Sequence, residues 1–411
     1  MPFGDGPATR GEVSRRDFLQ GTCGAVGALA LAPLALAPLR GPTEVRPALD
    51  PVTSTGSLDG SIRNHMQAAH LPSLGAALVH GGELHWSRGY GWANLGQDLE
   101  ATDETDYMLA SVSKTVTCAA LMQVWEAGSC DLDADVNNYI PFEIHNPFFP
   151  TAKITPRMLL THTSSIKDGY HGWGNLFSTP SFYCPGDSPV PLHDFLMDYL
   201  VPGGAYYVEV EDWHTEEPGT KYHYSNIGAV LAGYLVEAVT GTPFWKHCND
   251  HIFTPLGMEQ TGWHLFDLTT NNIAMPYRWH RGVPGYTPYF QYGYMDYPDG
   301  SLRTSAVGLS RWLRCFMNFG ELEGVRILKR STVEEIRRPQ VPGERQGLTW
   351  CYQHYKYGLL LGHSGGDFGV TTQMFFDPAR NIGTILLTNR YVGGWPSWYE
   401  FLDIQARLFQ V

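Results

Sequence analysis

Thr105-Asp106-Tyr107-Met108-Leu109-Ala110-Ser111-Val112-Ser113-Lys114 is the stretch on which the reading of this chain turns. A serine hydroxyl is a poor nucleophile until a base takes its proton. Residues three apart on a helix share a face, one turn above the other, so Lys114 reaches toward Ser111 if a helix begins here. The apolar positions Val116, Ala120, Leu121 and Val124 supply the periodicity of such a helix. A serine at a first helical turn also has free backbone N–H groups beside it, which favour a developing oxyanion. Alone, serine and lysine at this spacing are weak evidence, because a capping serine and a solvated lysine give the same pattern.

Working outward, two further clusters carry chemistry. Tyr224-Ser225-Asn226 follows the turn Pro218-Gly219-Thr220 and precedes a helical pattern at Ile227, Val230, Leu231, Tyr234, Leu235 and Ala238, which Gly241 ends. A tyrosine of lowered pKa acts as a general base, and Asn226 suits a substrate carbonyl or the lysine ammonium. The structural alternative is that Ser225 or Asn226 only caps the helix. Leu360-Leu361-Gly362-His363-Ser364-Gly365-Gly366 lies ahead of the last strand-like runs. Its small residues let a backbone approach a substrate and offer N–H groups to it, and His363 is placed to supply a donor or a charge at a cleft edge.

That third cluster also fits G-x-S-x-G, which would make Ser364 the nucleophile of an α/β-hydrolase. In that fold the order is serine, acid, histidine, and no histidine follows His363. The residues after Ser364 are Gly-rich and strand-like, not helical, so Ser364 is set aside as nucleophile.

The chain's two ends mirror each other. Gly75 to His80 and Glu83 to Tyr90 flank Gly81-Gly82 as a β-hairpin, and a helix up to Ala69 precedes it. Val370 to Phe376 and Ile382 to Leu387 are strand-like, and a helix fits Trp398 to Phe409. The expected fold is α/β of the α+β kind: an antiparallel sheet drawn from both chain ends, flanked by helices, with a mainly helical lobe inserted at roughly 112–300. Two aromatic-rich irregular stretches, Lys167 to Trp213 and Tyr277 to Tyr297, read as lids, binding loops or poorly ordered segments, or as surface packing of amphipathic Tyr and Trp.

Serine-x-x-lysine, then Tyr-x-Asn, then His-Ser-Gly on a strand resembles the serine β-lactamase and penicillin-binding superfamily. Leu159-Leu160-Thr161-His162-Thr163-Ser164 is similar to that family's Leu-Leu-Thr-His-Thr-Ser-Gly segment, with Ser165 in place of the glycine. Pro255-Leu256-Gly257-Met258 and Leu386-Leu387-Thr388-Asn389 also resemble it, and the likeness covers nearly all of the chain after Leu58. Within that superfamily the chain most resembles the class C β-lactamase-related group, which includes esterases and D-amino-acid peptidases. The resemblance implies a β-lactamase/transpeptidase-like fold and an acyl-enzyme on Ser111, with Lys114 and Tyr224 sharing the acid and base roles. It implies an oxyanion hole from the N–H groups of Ser111 and Gly366, and substrate contacts from Asn226, His363, Ser364, Gly365 and Gly366. Dedicated class C β-lactamases carry lysine where this chain has His363, and a neutral imidazole holds a substrate carboxylate less well than an ammonium. Ester or amide hydrolysis is therefore favoured over efficient antibiotic hydrolysis. The rival function is a catalytically silent penicillin-binding or sensing protein on the same fold.

Composition narrows the partners. The chain has 411 residues, is 43% apolar and 17% charged, and carries a formal net charge of −13. An acidic chain repels nucleic acid, so the expected partner is a small ester, amide or peptide substrate, with no cofactor and no metal. His247 and His251 stand at helical metal-ligand spacing but lack a third ligand. Asp299 in Pro298-Asp299-Gly300 reads as a turn residue, and His162 as a structural one near the cleft.

Ser14-Arg15-Arg16-Asp17-Phe18 followed by an Ala- and Leu-rich run to Ala37 reads as a twin-arginine export signal over residues 1–37. A Pro- and Thr-rich linker over 38–57 follows, and the hydrolase domain spans 58–411. The implied location is periplasmic or secreted, with no stable membrane insertion of the mature protein. Cys118, Cys130, Cys184, Cys248, Cys315 and Cys351 lie outside the signal, and are expected as free, buried thiols.

Overall fold

A computed structural model describes residues 57–169, 182–355, 357–394 and 396–411. The expected signal, most of the linker and part of the first aromatic stretch lie outside the described residues.

Helix α1 (Leu58–Ala68) is capped by Ser57, whose hydroxyl accepts from the Gly60 N–H. Strands β1 (Ser73–His80) and β2 (Glu83–Asn94) form the hairpin. Its turn needs left-handed backbone at both central positions, and Gly81 and Gly82 supply it with φ of 62° and 85°. The short β3 (Leu99–Glu100) extends the sheet beyond β2.

The other sheet strands come from the far end of the chain. They are β4 (Cys351–Tyr355), β5 (Gly358–Asp367), β6 (Val370–Asp377) and β7 (Ile382–Thr388). The order is β4-β5-β6-β7-β1-β2-β3, antiparallel throughout, so the two ends of the chain meet at the β7–β1 pair. Both central strands are buried on their two faces. One face packs on α1 and on α5 (Ser397–Leu408), with Ile62, Met66, Phe401 and Ile404 against Leu74, Ala76 and Leu386. The other face meets α4 (Ala306–Met317), whose Trp312, Leu313 and Phe316 join the main core.

The inserted lobe is built around α2 (Lys114–Glu126) and α3 (Asn226–Thr240). Nearly every side of α3 is buried, which is why its sequence is apolar beyond a single stripe. The described parts of the two aromatic stretches contain short regular elements. Tyr183–Pro185 pairs with Tyr292–Tyr294, Tyr277–His280 pairs with Gly285–Pro288, and a helix occupies Leu192–Leu200. Cross-strand aromatic contacts stabilise such short ribbons, with Tyr183 edge-on to Tyr292 and Tyr294.

Cys118, Cys130, Cys184, Cys248 and Cys315 are free. Cys351 is disulfide-bonded, which corrects the expectation for that residue.

Candidate active site

Ser111 lies in a 3₁₀ turn, Ala110–Ser113, that runs directly into α2. The turn opens on Ala110 at φ 47°, a left-handed conformation unusual for a residue with a Cβ. Ser111 is partly exposed, whereas Lys114 is 1% exposed. Lys114 Nζ donates to Ser111 Oγ at 3.1 Å, so the three-residue spacing brings the two together.

Lys114 Nζ also donates to the carbonyl oxygen of Asp299 at 2.6 Å and lies 3.4 Å from Asp299 Oδ2. Burial alone would lower the pKa of Lys114, but Asp299 and Tyr224 outweigh it and hold it above its usual range. Burial pushes Asp299 up to about 6, against the pull of Lys114. Asp299 occupies a turn, as expected, yet its role at the site was missed. A lone aspartate before glycine reads as a turn, and its approach to Lys114 is a tertiary contact.

The Tyr224 hydroxyl is buried beside Ser111 and Lys114, without a hydrogen bond of full geometry to either. Lys114 Nζ stands 5.3 Å from the centre of its ring. Burial raises the Tyr224 pKa, and Lys114 opposes the rise, so the resting group is a neutral phenol. Its ring is held from behind by His162, with centroids 4.4 Å apart. His162 accepts the Ser225 N–H on Nδ1 at 3.2 Å and, through its carbonyl, the His223 N–H at 2.7 Å. It therefore clamps the backbone on both sides of Tyr224. Burial, then the charge of Lys114, holds its pKa well below the ordinary value, so it does this as a neutral ring.

Ser225 is the N-cap of α3, and its hydroxyl accepts the Gly228 N–H at 2.9 Å. Asn226 is the first helical residue. Its N–H donates to both oxygens of Asp168, at 2.8 and 3.0 Å, and the Ile227 N–H donates to Asp168 Oδ1 at 3.1 Å. Asp168 is a second residue that the sequence did not disclose, because its partners are backbone groups far along the chain.

His363, Ser364, Gly365 and Gly366 lie on β5, paired with Met374, Gln373, Thr372 and Thr371 of β6. Ser364 thus sits inside a strand and not on a strand-to-helix elbow. Gly365 faces the nucleophile turn. A Cβ there would stand 2.3 Å from the Leu109 carbonyl oxygen and 3.0 Å from Ser111 N. Only glycine lets the strand come this close. His363 departs from the expectation of a donor or charge at the cleft edge. It is fully buried, its Nδ1–H donates to the Ser364 carbonyl at 2.6 Å, and Nε2 has no partner among the described residues. Burial and the nearby Lys114 push its pKa down to about 3, so the ring is neutral.

This geometry coincides with a family match: residues 58–402 fit the Beta-lactamase family model. The chain belongs to the β-lactamase family. Protein flp of Staphylococcus aureus is 23% identical over 359 residues, which are 86% of this chain and 66% of that protein. An unguisins hydrolase of Aspergillus campestris is 21% identical over 387 residues, 84% of this chain and 68% of that one. The chain thus spans about two thirds of the length of these curated relatives. Among solved structures, an octameric penicillin-binding protein homologue from Pyrococcus abyssi superposes with a TM-score of 0.70 at 24% identity, covering 87% of this chain and 78% of that one. A D-amino acid amidase from Ochrobactrum anthropi gives 0.68 at 21%, covering 86% and 97%. At these identities the likeness establishes the β-lactamase/transpeptidase-like fold, an antiparallel sheet from both chain ends with helices about it.

Proposed function

We propose that this protein is a serine hydrolase that cleaves esters or amides through an acyl-enzyme on Ser111. The observation that carries this reading is Lys114 Nζ at 3.1 Å from Ser111 Oγ, with the Tyr224 hydroxyl buried beside both. Once the Lys114–Tyr224 pair has released one proton to solvent, it takes the proton of Ser111 Oγ, and the oxygen bonds to the substrate carbonyl carbon. The backbone N–H groups of Ser111 and Gly366 take the oxyanion. The pair returns the proton to the leaving oxygen or nitrogen as the carbonyl re-forms. Water, activated by the same pair, then releases the acyl group and restores the Ser111 hydroxyl. Lys114 and Tyr224 act as one coupled unit, and neither owns the proton throughout.

A D-amino acid amidase and an unguisins hydrolase stand among the similar proteins, which supports ester or amide substrates. The neutral, buried His363 weighs against efficient recognition of a β-lactam carboxylate. The Arg15-Arg16 segment supports export by the twin-arginine route to the periplasm or beyond.

The test is a fluorophosphonate probe together with a panel of p-nitrophenyl esters, D-alanyl peptides and nitrocefin, on wild type and Ser111→Ala. Wild type is expected to label and to turn over the esters, with both lost in the variant and nitrocefin hydrolysed slowly at most. A folded wild type that neither labels nor hydrolyses would make the protein a silent binder. Labelling that survives Ser111→Ala would remove Ser111 as nucleophile.

A further inference from the structure

Acyl transfer leaves several buried carboxylates near Lys114 without a task. Asp168, Asp296, Asp299 and Asp367 all lie within electrostatic reach of its ammonium. Asp168 is committed to the N-terminus of α3, and Asp299 to Lys114. Asp296 is 1% exposed, and neither of its carboxylate oxygens has a hydrogen-bond partner among the described residues. Asp367 accepts on Oδ1, from the Phe368 N–H at 2.7 Å and the Tyr183 hydroxyl at 3.1 Å. Its Oδ2 takes no hydrogen bond among the described residues and, unlike the oxygens of Asp296, is not sealed from solvent. Arg303, the other buried cation nearby, donates to the carbonyls of Ser301 and Tyr292 and to none of these carboxylates.

Position makes Asp367 the useful member of the group. Alternate residues of a strand share a face. On β5 that face carries His363, whose ring neighbours Tyr224, then Gly365 against Ser111 N, then Asp367. At about 3.3 Å per residue, Asp367 stands roughly 7 Å along the strand from Gly365. A carboxylate there can meet a group two or three bonds from a carbonyl carbon attacked by Ser111. Tyr183 edges against Phe368, with centroids 5.2 Å apart, and closes this side with an aromatic wall.

We propose that Asp367 is a specificity-determining residue that receives an ammonium group beside the reacting carbonyl, so that the preferred substrates are amino-acid esters, amides or short peptides with a free amino group. The inference rests on the serine-hydrolase reading and names its substrate class. Burial pushes Asp367 up to about 7. A negative charge is therefore costly there in the empty site, and an arriving ammonium offsets that cost.

The test compares matched pairs, the D- and L-phenylalanine p-nitroanilides and their N-acetyl counterparts, near pH 7, where much of a free α-amino group is protonated. Wild type is expected to favour at least one free amine over its acetylated partner by about tenfold or more in kcat/KM, equivalent to about 1.4 kcal/mol. In Asp367→Asn that ratio is expected to fall about tenfold. Fluorophosphonate labelling of the variant checks that its nucleophile is assembled. If the variant does not fold, competitive inhibition of wild type decides: phenethylamine is expected to inhibit more strongly than 2-phenylethanol. A wild-type ratio at or below one for both enantiomers, a ratio unchanged in Asp367→Asn, or equal inhibition by the two alcohol and amine probes overturns the inference while leaving the hydrolase reading intact. Turnover that persists in Ser111→Ala removes Ser111 as nucleophile instead, and a folded wild type that turns over no substrate and takes no label overturns the hydrolase reading.

Discussion

Asp299 meets Lys114 twice, through its carbonyl oxygen at 2.6 Å from Nζ and through its carboxylate oxygen Oδ2 at 3.4 Å. The first contact places the lysine and the second biases its charge. With a carboxylate this near, the ammonium is favoured, and a protonated Lys114 cannot accept the Ser111 proton. Asp299→Asn keeps the carbonyl contact and removes the charge. The Lys114–Tyr224 pair then gives up a proton more readily, and the rising limb of the pH profile of kcat/KM is expected to move down by about one unit. A profile that keeps its midpoint in the variant would show that Asp299 does not set the charge of Lys114.

Asp168 orients the other half of the pair. Its carboxylate takes the first two N–H groups of α3, and it lies 3.2 Å from the Ser225 hydroxyl. Tyr224 sits immediately before that helix start. Asp168→Ala leaves those donors unpaired in a buried place, at a cost of about 1–3 kcal/mol. Denaturant unfolding is expected to show that loss, and ester turnover is expected to fall further than stability alone requires, with kcat more affected than KM. Full kcat in a folded Asp168→Ala protein would separate this cap from the chemistry.

What was legible in the sequence was local. The Gly81-Gly82 turn, the alternating runs beside it, the strand-like segments at the far end and the periodicity of α3 each follow from a few adjacent residues. The Ser111–Lys114 contact is legible for the same reason, being one helical turn. Asp299 lies 185 residues from Lys114, and no pattern within the chain ties a turn aspartate to a distant lysine. Asp168 escaped notice likewise, since it binds backbone N–H groups 58 and 59 residues away. The ribbon of Tyr183–Pro185 with Tyr292–Tyr294 joins segments 109 residues apart and is only three residues long on each side, too short to carry a period. Residue type offers His363 as a donor or a charge at the cleft edge, and only its burial and its bond to the Ser364 carbonyl, both tertiary facts, leave a neutral ring with its proton already committed.

Asp106 makes the stability depend on pH. It is fully buried, neither carboxylate oxygen has a hydrogen-bond partner among the described residues, and burial pushes it up to about 8 despite the pull of Arg303. The ordinary value is 3.8. Between the two, the unfolded chain releases this proton and the folded one retains it. The contribution to stability is therefore full below about 3.8, declines as pH rises and is lost once pH passes about 8. Asp299 and Asp367, also shifted upward, act in the same direction. Unfolding free energies from urea titration are expected to fall from pH 5 to pH 8 in wild type and to fall less in Asp106→Asn, by an amount on the order of a few kcal/mol. Parallel pH dependences in the two proteins would mean that Asp106 ionises freely in the fold.

Gly365 is the position where packing and chemistry are hardest to separate. An added Cβ would stand 2.3 Å from the Leu109 carbonyl oxygen, 2.5 Å from Thr372 Oγ1 and 3.0 Å from Ser111 N. The first of these is backbone and cannot swing away. Thr372 is itself tied to that carbonyl by a 2.6 Å hydrogen bond. In Gly365→Ala either β5 or the nucleophile turn must retreat, which separates Gly366 from Ser111 and opens the proposed oxyanion site. Loss of one oxyanion donor costs about 100- to 1,000-fold in kcat, and a loss of that size is expected here. Steric strain is expected to lower stability by about 2–4 kcal/mol as well. Gly282→Ala is the control, because a Cβ there meets nothing within 4 Å and its backbone is not left-handed. Its stability and turnover are expected to stay near wild type. Near-normal turnover in Gly365→Ala would place the oxyanion donors somewhere other than this strand.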